Sequence, residues 1–296
     1  MSEVQLHNLT RCTLAELIRA GEVYLSGYQL VYGHGTDNAF DEAAWLALEA
    51  CGISPAEPLQ SYDIPVSPEQ LLCAKEWFTK RAVDKIPVAY LTGRAWFAGL
   101  EFLVDERALI PRSPIAELIH NGFEPWITSA PKSALDMCCG GGCIAIALAN
   151  GFPGCAVDAV DLSRDALDLA ALNVNKHKLQ NQVTLYQSDL LAQLPPRQYD
   201  LIVSNPPYVD AEDMGNLAGE FSHEPQMGLA AGRDGLDIVA RLLRDSKQYL
   251  KPDGILVIEV GNSMEAIDRR FARLDLTWLE FEYGGEGVFL ISARAL

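Results

Sequence analysis

From residue 133 onward, short runs of apolar and branched residues alternate with helical stretches. That alternation closes most readily as a parallel sheet with crossover helices on its faces. Strands are expected at 133–137, 156–160, 182–187, 199–204 and 254–260, and helices at about 142–151, 163–176 and 233–250. A last crossover, at about 263–273, precedes WLEFEY and GVFLISA. These two strands, joined through Gly284-Gly285, predict an antiparallel pair at one edge. The expected architecture is an α/β, doubly wound, mostly parallel sheet.

Ahead of it, up to about residue 85, the periodicity is helical. Thr13-x-x-Glu16 has the form of a capping box, and Leu14, Leu17, Ile18, Gly21, Leu25 and Tyr28 share one face. A second helix places Phe40, Ala43, Ala44, Ala47, Leu48 and Cys51 on one stripe and stops at Gly52. A third opens with Ser67 as cap, Pro68 at the first helical position and Gln70 completing a capping box. The Pro-dotted loop SPAEPLQSYDIP lies between the second and third. Residues 95–109 (AWFAGLEFLVDERAL) read as a hairpin turning at Ala-Gly, which leads through IPRSP into a short helix at 114–121. The expected organisation is a helical domain at 1–88, a hairpin linker with a short helix at 89–122, and a sheet domain at 123–296.

At 296 residues the chain has material for about two domains. With 49% hydrophobic residues it can bury a core, which excludes wholesale disorder. Its net charge of −17, without a basic stripe, opposes a phosphate backbone and favours a cationic partner. No apolar run approaches the roughly 18 residues of a membrane span, and the N-terminus carries no signal-peptide core. Seven irregularly spaced cysteines without an export signal predict reduced thiols in a cytoplasmic protein. Cys138, Cys139 and Cys143 cluster, but no second ligand pair accompanies them, so they read as small buried fillers and no metal is expected.

In a doubly wound sheet, ligands bind outside the carboxyl ends of the strands. Four consecutive expected strands deliver suitable chemistry there. The first runs into Asp136, Met137, Cys138, Cys139, Gly140, Gly141 and Gly142; the second ends in Asp161; the third in Ser188-Asp189; the fourth in Ser204-Asn205-Pro206-Pro207-Tyr208. The glycine run lets backbone approach a ligand and aims N–H groups from a helix start. Asp161 follows Gly142 by 19 residues, the place from which a carboxylate accepts both hydroxyls of a ribose. Both features serve a nicotinamide dinucleotide and an adenosyl ligand equally, and Asp136 suits a loop-holding role as well as ligand contact.

The NPPY tetrapeptide discriminates between them. The side-chain carbonyl of Asn205 and the backbone carbonyl of Pro206 are two stiffly held acceptors for the hydrogens of a planar –NH2 group, and Tyr208 offers a face to stack on. Holding such a weak nucleophile in line with an electrophile suits direct methyl transfer. Hydride transfer has no use for it, and none of the five histidines reads as a hydride-transfer acid. An amide and the amino group of adenine or cytosine fit the clamp equally well.

The motifs DMCCGGGCIAIALA, VDLS, SD, YDLIVSNPPYVDAED and EP…GLAAGRDGLD resemble those of class I S-adenosylmethionine-dependent methyltransferases that act on glutamine side-chain amides. The resemblance runs from YLTGRAWFAGLEFLVDERALIPRSPIAEL to WLEFEYGGEGVFL, and PRSPIAEL resembles the branch that modifies large-subunit ribosomal protein L-three. It implies a seven-stranded Rossmann-like catalytic domain and an N-terminal helical domain that recognises substrate. Asn205, Pro206, Pro207 and Tyr208 would bind the glutamine amide. Asp136, Cys138, Cys139, Gly140, Gly141, Gly142, Asp161, Leu162 and Asn205 would meet the cofactor, with Ser188, Asp189 and Leu190 near its adenine. Cys138 stands where the family's first loop glycine belongs, and Cys139 and Gly141 replace small hydroxyl residues.

Between Tyr208 and Arg233, the residues Asp210, Glu212, Asp213, Glu220 and Glu224 have no Lys or Arg among them. They predict an acidic lip suited to a basic protein substrate, a ribosomal protein or an assembling ribosome. Pro225, Gly228, Gly232 and Gly235 predict a loop able to close over the site, with His223 near the pocket but without a catalytic task. The expectation is glutamine N-methylation using S-adenosylmethionine. A nucleic-acid amino-group methyltransferase and a NAD-dependent oxidoreductase are the alternatives.

Overall fold

The computed structural model describes residues 6, 8–55, 60–209, 214–215, 217–230 and 236–296. Two compact units form: Met1–Arg94 with Ala218–His223, and Ala95–Leu217 with Glu224–Leu296.

The first unit holds α1 (Leu14–Leu25), α2 (Ala39–Ala50), α3 (Pro68–Val83) and the short α4 (Val88–Thr92). Both expected capping boxes form, Thr13 with Glu16 and Ser67 with Gln70. Gly21 lets α1 approach α3 closely, since a Cβ there would lie 2.4 Å from the Phe78 ring. The stripe expected on α2 is displaced. Phe40 is 48% exposed, whereas Ala39, Glu42, Ala43, Trp45, Leu46, Ala47 and Leu48 are buried. The cause is a carboxylate that periodicity assigns to the surface: Glu42 accepts from the buried Arg81 Nε at 2.7 Å. Arg81 Nη1 donates to Glu220 at 3.1 Å and its Nη2 to the Val31 carbonyl at 3.0 Å. Glu220 sits on the 3-10 turn Gly219–His223, in the segment that joins this unit, and also accepts from the Val31 amide at 2.9 Å.

The second unit begins at Ala95, one residue into the hairpin of β1 (Arg94–Phe97) and β2 (Leu100–Leu103), whose Ala98-Gly99 turn has φ of 49° and 76°. Two successive left-handed residues are what the tightest hairpin turns require. The strand signal expected to run on to residue 109 stops at Leu103. Beyond α5 (Ile115–His120) come β3 (Ser133–Met137), α6 (Cys143–Gly151), β4 (Ala156–Asp161), α7 (Arg164–Lys176), β5 (Val183–Gln187) and β6 (Tyr199–Ser204). There follow α8 (Gln226–Leu229), α9 (Asp237–Asp245), β7 (Leu250–Glu259), α10 (Met264–Arg270), β8 (Thr277–Trp278) and β9 (Val288–Ser292).

The seven-stranded sheet has the order β5-β4-β3-β6-β7-β9-β8, parallel except for β9, which runs antiparallel to both neighbours. Strand order reverses at β3, so the carboxyl ends of β3 and β6 flank the switch point. β3 is wholly buried, and α6 is buried from Ile144 through Ala149. Leu135, Met137, Ile202, Leu256 and Ile258 pack with Val239, Leu242 and Leu243 of α9 and with Phe289.

Two expectations need correction. The helix drawn over 233–250 ends at Asp245, and a 3-10 turn passes the chain into a longer β7. Of WLEFEY only Trp278 is in a strand, after Thr277, and the Glu117 carboxylate accepts from the amides of Glu282 and Tyr283 instead of a ladder partner. Among the described residues no helix is long and apolar enough to cross a membrane.

Candidate active site

The ends of β3, β4, β5 and β6 open onto one cavity of about 680 Å³. Cys138 through Gly141, Asp161, Leu162, Ser188 through Leu190 and Asn205 through Tyr208 all line it. The segment after the hairpin, from Glu106 to Ser113, supplies another wall, and Pro225 through Leu229 a further one.

The glycine loop is pinned from below. Cys139 N donates to the Val160 carbonyl at 2.9 Å, and Gly140 N to Asp161 Oδ2 at 2.8 Å. Asn173 Nδ2 holds the Gly141 carbonyl at 3.0 Å. Cys138 and Gly140 have φ of 60° and 53°, so the missing family glycine does fall at a left-handed position, one a cysteine tolerates at a cost of roughly 1–2 kcal/mol. Burial pushes the thiols of Cys138, Cys139 and Cys143 far up, which keeps them protonated. Among the described residues no group of His, Cys, Asp and Glu could hold a metal.

Two of the expected cofactor contacts do not line the cavity. Asp136 is fully buried beneath the loop, where Oδ2 accepts from Ala145 N at 2.9 Å at the start of α6 and Oδ1 has no partner. Desolvation raises its pKa to about 8. Gly142, with φ of 80°, caps α6 where a Cβ would come 3.1 Å from Ala170 Cβ. Its role is close packing of α6 on α7.

Asp161 accepts from Gly140 N through Oδ2 and from Ser163 N through Oδ1, both at 2.8 Å. Each oxygen retains a lone pair for a further donor. Ser188 is buried and bound to Gln193, so its hydroxyl shapes the loop, while Asp189 forms an ion pair of 2.8 Å with Arg241. Leu162, 54% exposed, and Leu190, at φ of 52°, present apolar surface beside them.

Ser204 donates to the Met137 carbonyl at 2.8 Å, tying the end of β6 to that of β3 just before Asn205. No described residue hydrogen-bonds the side-chain amide of Asn205, which leaves its carbonyl available to a ligand. Burial and the nearby Glu259 raise the Tyr208 phenol to about 12, so it stays neutral.

The expected acidic lip is corrected in part. Glu220 and Glu224 are buried, Glu220 on Arg81 and Glu224 in a two-pronged pair with Arg112 at 2.6 and 2.8 Å. Asp210, Glu212 and Asp213 lie outside the described residues, as do Gly232 and Gly235 of the expected closing loop. His223 is not at the pocket: it belongs to the first unit, where Nε2 meets the Asp84 carbonyl at 2.7 Å. Sequence reasoning gave no role to Arg112, Ser113, Arg241 and Glu259, all of which line the cavity. Glu259 was findable, since it ends the fifth parallel strand and obeys the same edge rule as the other four.

The fold and this edge define a class I, Rossmann-like methyltransferase. Residues 126–233 match the methyltransferase small domain family and residues 22–93 the PrmC N-terminal domain family. Ribosomal protein uL3 glutamine methyltransferase of Burkholderia pseudomallei is 41% identical, covering 96% of this chain and 95% of that protein. Its namesake in Xanthomonas campestris pv. campestris is 46% identical, covering 96% and 92%. Among solved structures, the hMettl16 catalytic domain in complex with a MAT2A 3′UTR hairpin shares the fold, with a TM-score of 0.52 at 16% identity, covering 76% of this chain and 81% of that one. The chain belongs to the ribosomal protein uL3 glutamine methyltransferase family.

Proposed function

We propose that this protein transfers the methyl group of S-adenosylmethionine to the side-chain amide nitrogen of a glutamine in ribosomal protein uL3. The observation that carries the reading is the meeting, in one cavity, of Asn205, whose amide no described residue hydrogen-bonds, with Pro206, Tyr208, the glycine loop and Asp161. The residues fit an adenosyl ligand. Asp161 keeps acceptor capacity for ribose hydroxyls, Leu162 and Leu190 offer apolar surface for an adenine, and Gly140-Gly141 leave backbone open to the methionine end. That ligand supplies an electrophilic methyl group.

The chain's own residues do the rest. Asn205 and Pro206 accept the two amide hydrogens, concentrating electron density on a nitrogen whose lone pair is otherwise delocalised. Tyr208 stacks on the amide plane. Orientation of this kind can contribute roughly 7–11 kcal/mol of barrier lowering without an acid or base. Asn205, Pro206 and Tyr208 are thus the catalytic residues, and the helical first unit is the substrate-recognition domain. The net charge of −17 supports a Lys- and Arg-rich substrate, free or on an assembling ribosome, in the cytoplasm, and disfavours a nucleic acid.

Asn205→Ala should leave S-adenosylhomocysteine affinity within about threefold by calorimetry while turnover on uL3 falls by roughly two to three orders of magnitude. Wild-type turnover in that variant would refute the amide clamp. Labelled methyl appearing in RNA or DNA and not in protein would refute the substrate.

A further inference from the structure

We infer that Glu224 is a positioning residue that fixes the far end of the NPPY tetrapeptide through a short strap, residues 225–230. The inference rests on the function proposed above. The near end of the tetrapeptide is tied at Ser204, whose hydroxyl donates to the Met137 carbonyl at 2.8 Å. Beyond Tyr208, the tether is the backbone of the strap. Val209 N donates to the Leu229 carbonyl at 2.9 Å, and Val209 forms a parallel bridge with Ala230.

The strap in turn is fixed to the wall at 106–113. Glu224 is buried, and its Oε1 accepts from Arg112 Nη1 at 2.6 Å and from Ile110 N at 3.1 Å, while Oε2 accepts from Arg112 Nη2 at 2.8 Å. A carboxylate gripped by both prongs of a guanidinium and by a backbone amide is set in direction as well as in place. Further along, Gly228 lies against Leu109, where a Cβ would come 3.0 Å from Leu109 Cγ. Between the two ends the chain makes a closed turn, with Gly228 N donating to the Pro225 carbonyl and Ala230 N to the Gln226 carbonyl, both at 2.9 Å. A shift at Glu224 is therefore passed on to Leu229 and Val209 instead of being absorbed. Leu109, Arg112, Gly228, Leu229 and Val209 line the cavity and Glu224 does not, so it acts on the reaction through the strap. Displacing a reacting group by about 1 Å can cost roughly a hundredfold in rate, so a tetrapeptide fixed at one end only would hold its amide poorly.

The test is a double-mutant cycle in the full chain with Arg112→Met, Glu224→Gln and the pair, read as kcat and KM on uL3 and as S-adenosylhomocysteine affinity by calorimetry. Each single variant should lose roughly tenfold in kcat with cofactor affinity within about threefold, and the pair should be no worse than the poorer single. Losses that multiply, or a loss confined to cofactor affinity, would overturn the inference. An activity-independent arm follows amide hydrogen exchange by nuclear magnetic resonance. In Glu224→Gln the Val209 amide should exchange roughly tenfold faster than in wild type while the amides of β3 keep their protection, and an unmoved Val209 would overturn the strap. If Glu224→Gln does not fold, Arg112→Lys, which keeps the charge but not the two-pronged grip, carries the exchange measurement. Should wild-type protein label no glutamine, the proposed function fails, and the exchange rate still decides whether Glu224 holds Val209.

Discussion

Replacing Arg81 by Met would remove the cation that the buried carboxylates of Glu42 and Glu220 share. All three side chains are at most 2% exposed, and the guanidinium donates to both acids and to the Val31 carbonyl. Breaking a buried pair from the cationic side costs about 3–5 kcal/mol, because the acids stay desolvated without their counter-charge. With two acids on one cation, the upper end of that range is expected near pH 8. The assay is urea unfolding followed by fluorescence of Trp45, buried on the same helix as Glu42. A triple variant with Arg81→Met, Glu42→Leu and Glu220→Leu should recover most of the loss, since hydrophobic replacement of a whole buried network is near neutral.

The pH dependence supplies a sign. Burial already raises the Glu42 pKa with Arg81 present, and removing the arginine raises it further. A folded acid with a raised pKa binds protons that the unfolded chain does not, so the variant gains stability as pH falls toward 5. Glu220 in the wild type has a lowered pKa, so its contribution is lost as pH falls through that value. The two proteins should therefore converge on acidification. A deficit below 1 kcal/mol, or one indifferent to pH, would refute the reasoning.

Asp136, fully buried with a pKa near 8, should make wild-type stability fall between about pH 4 and pH 8, with a slope approaching 1.4 kcal/mol per pH unit from this group. Asp136→Asn should flatten that slope in chemical denaturation series, and an unchanged slope would show that the acid ionises freely in the fold. At Cys138, whose φ is 60°, glycine should be within about 1 kcal/mol of wild type, because released strain offsets lost packing and greater chain entropy. Cys138→Val, β-branched in a left-handed position, should cost about 2 kcal/mol in thermal unfolding, and equal stability of the two variants would refute the strain argument.

What could be read from the chain follows physical range. Capping boxes, the Ala98-Gly99 turn and the strand-terminal residues from Asp161 to Tyr208 are local patterns, and each appears where its spacing places it. Burial of acids is not local. Glu42 finds its cation 39 residues away and Glu224 finds Arg112 at a separation of 112, so helical periodicity misplaced Phe40 and loop composition misread Glu220 and Glu224 as exposed. The glycine loop was legible as a cavity-facing turn. Which of its members line the cavity was not, because that depends on how α7 packs on Gly142 and how Asp136 reaches back to Ala145.

The bond between Arg81 and Glu220 spans 139 residues of chain. During synthesis, at about 5–20 residues per second, the arginine is therefore added roughly 7–28 s before its second acid exists. Throughout that interval the nascent helices hold a guanidinium with one carboxylate, and a fragment cut after Arg94 would remain so permanently. Completion of the N-terminal unit is thus timed by translation of a segment that lies beyond the NPPY tetrapeptide, inside the methyltransferase domain.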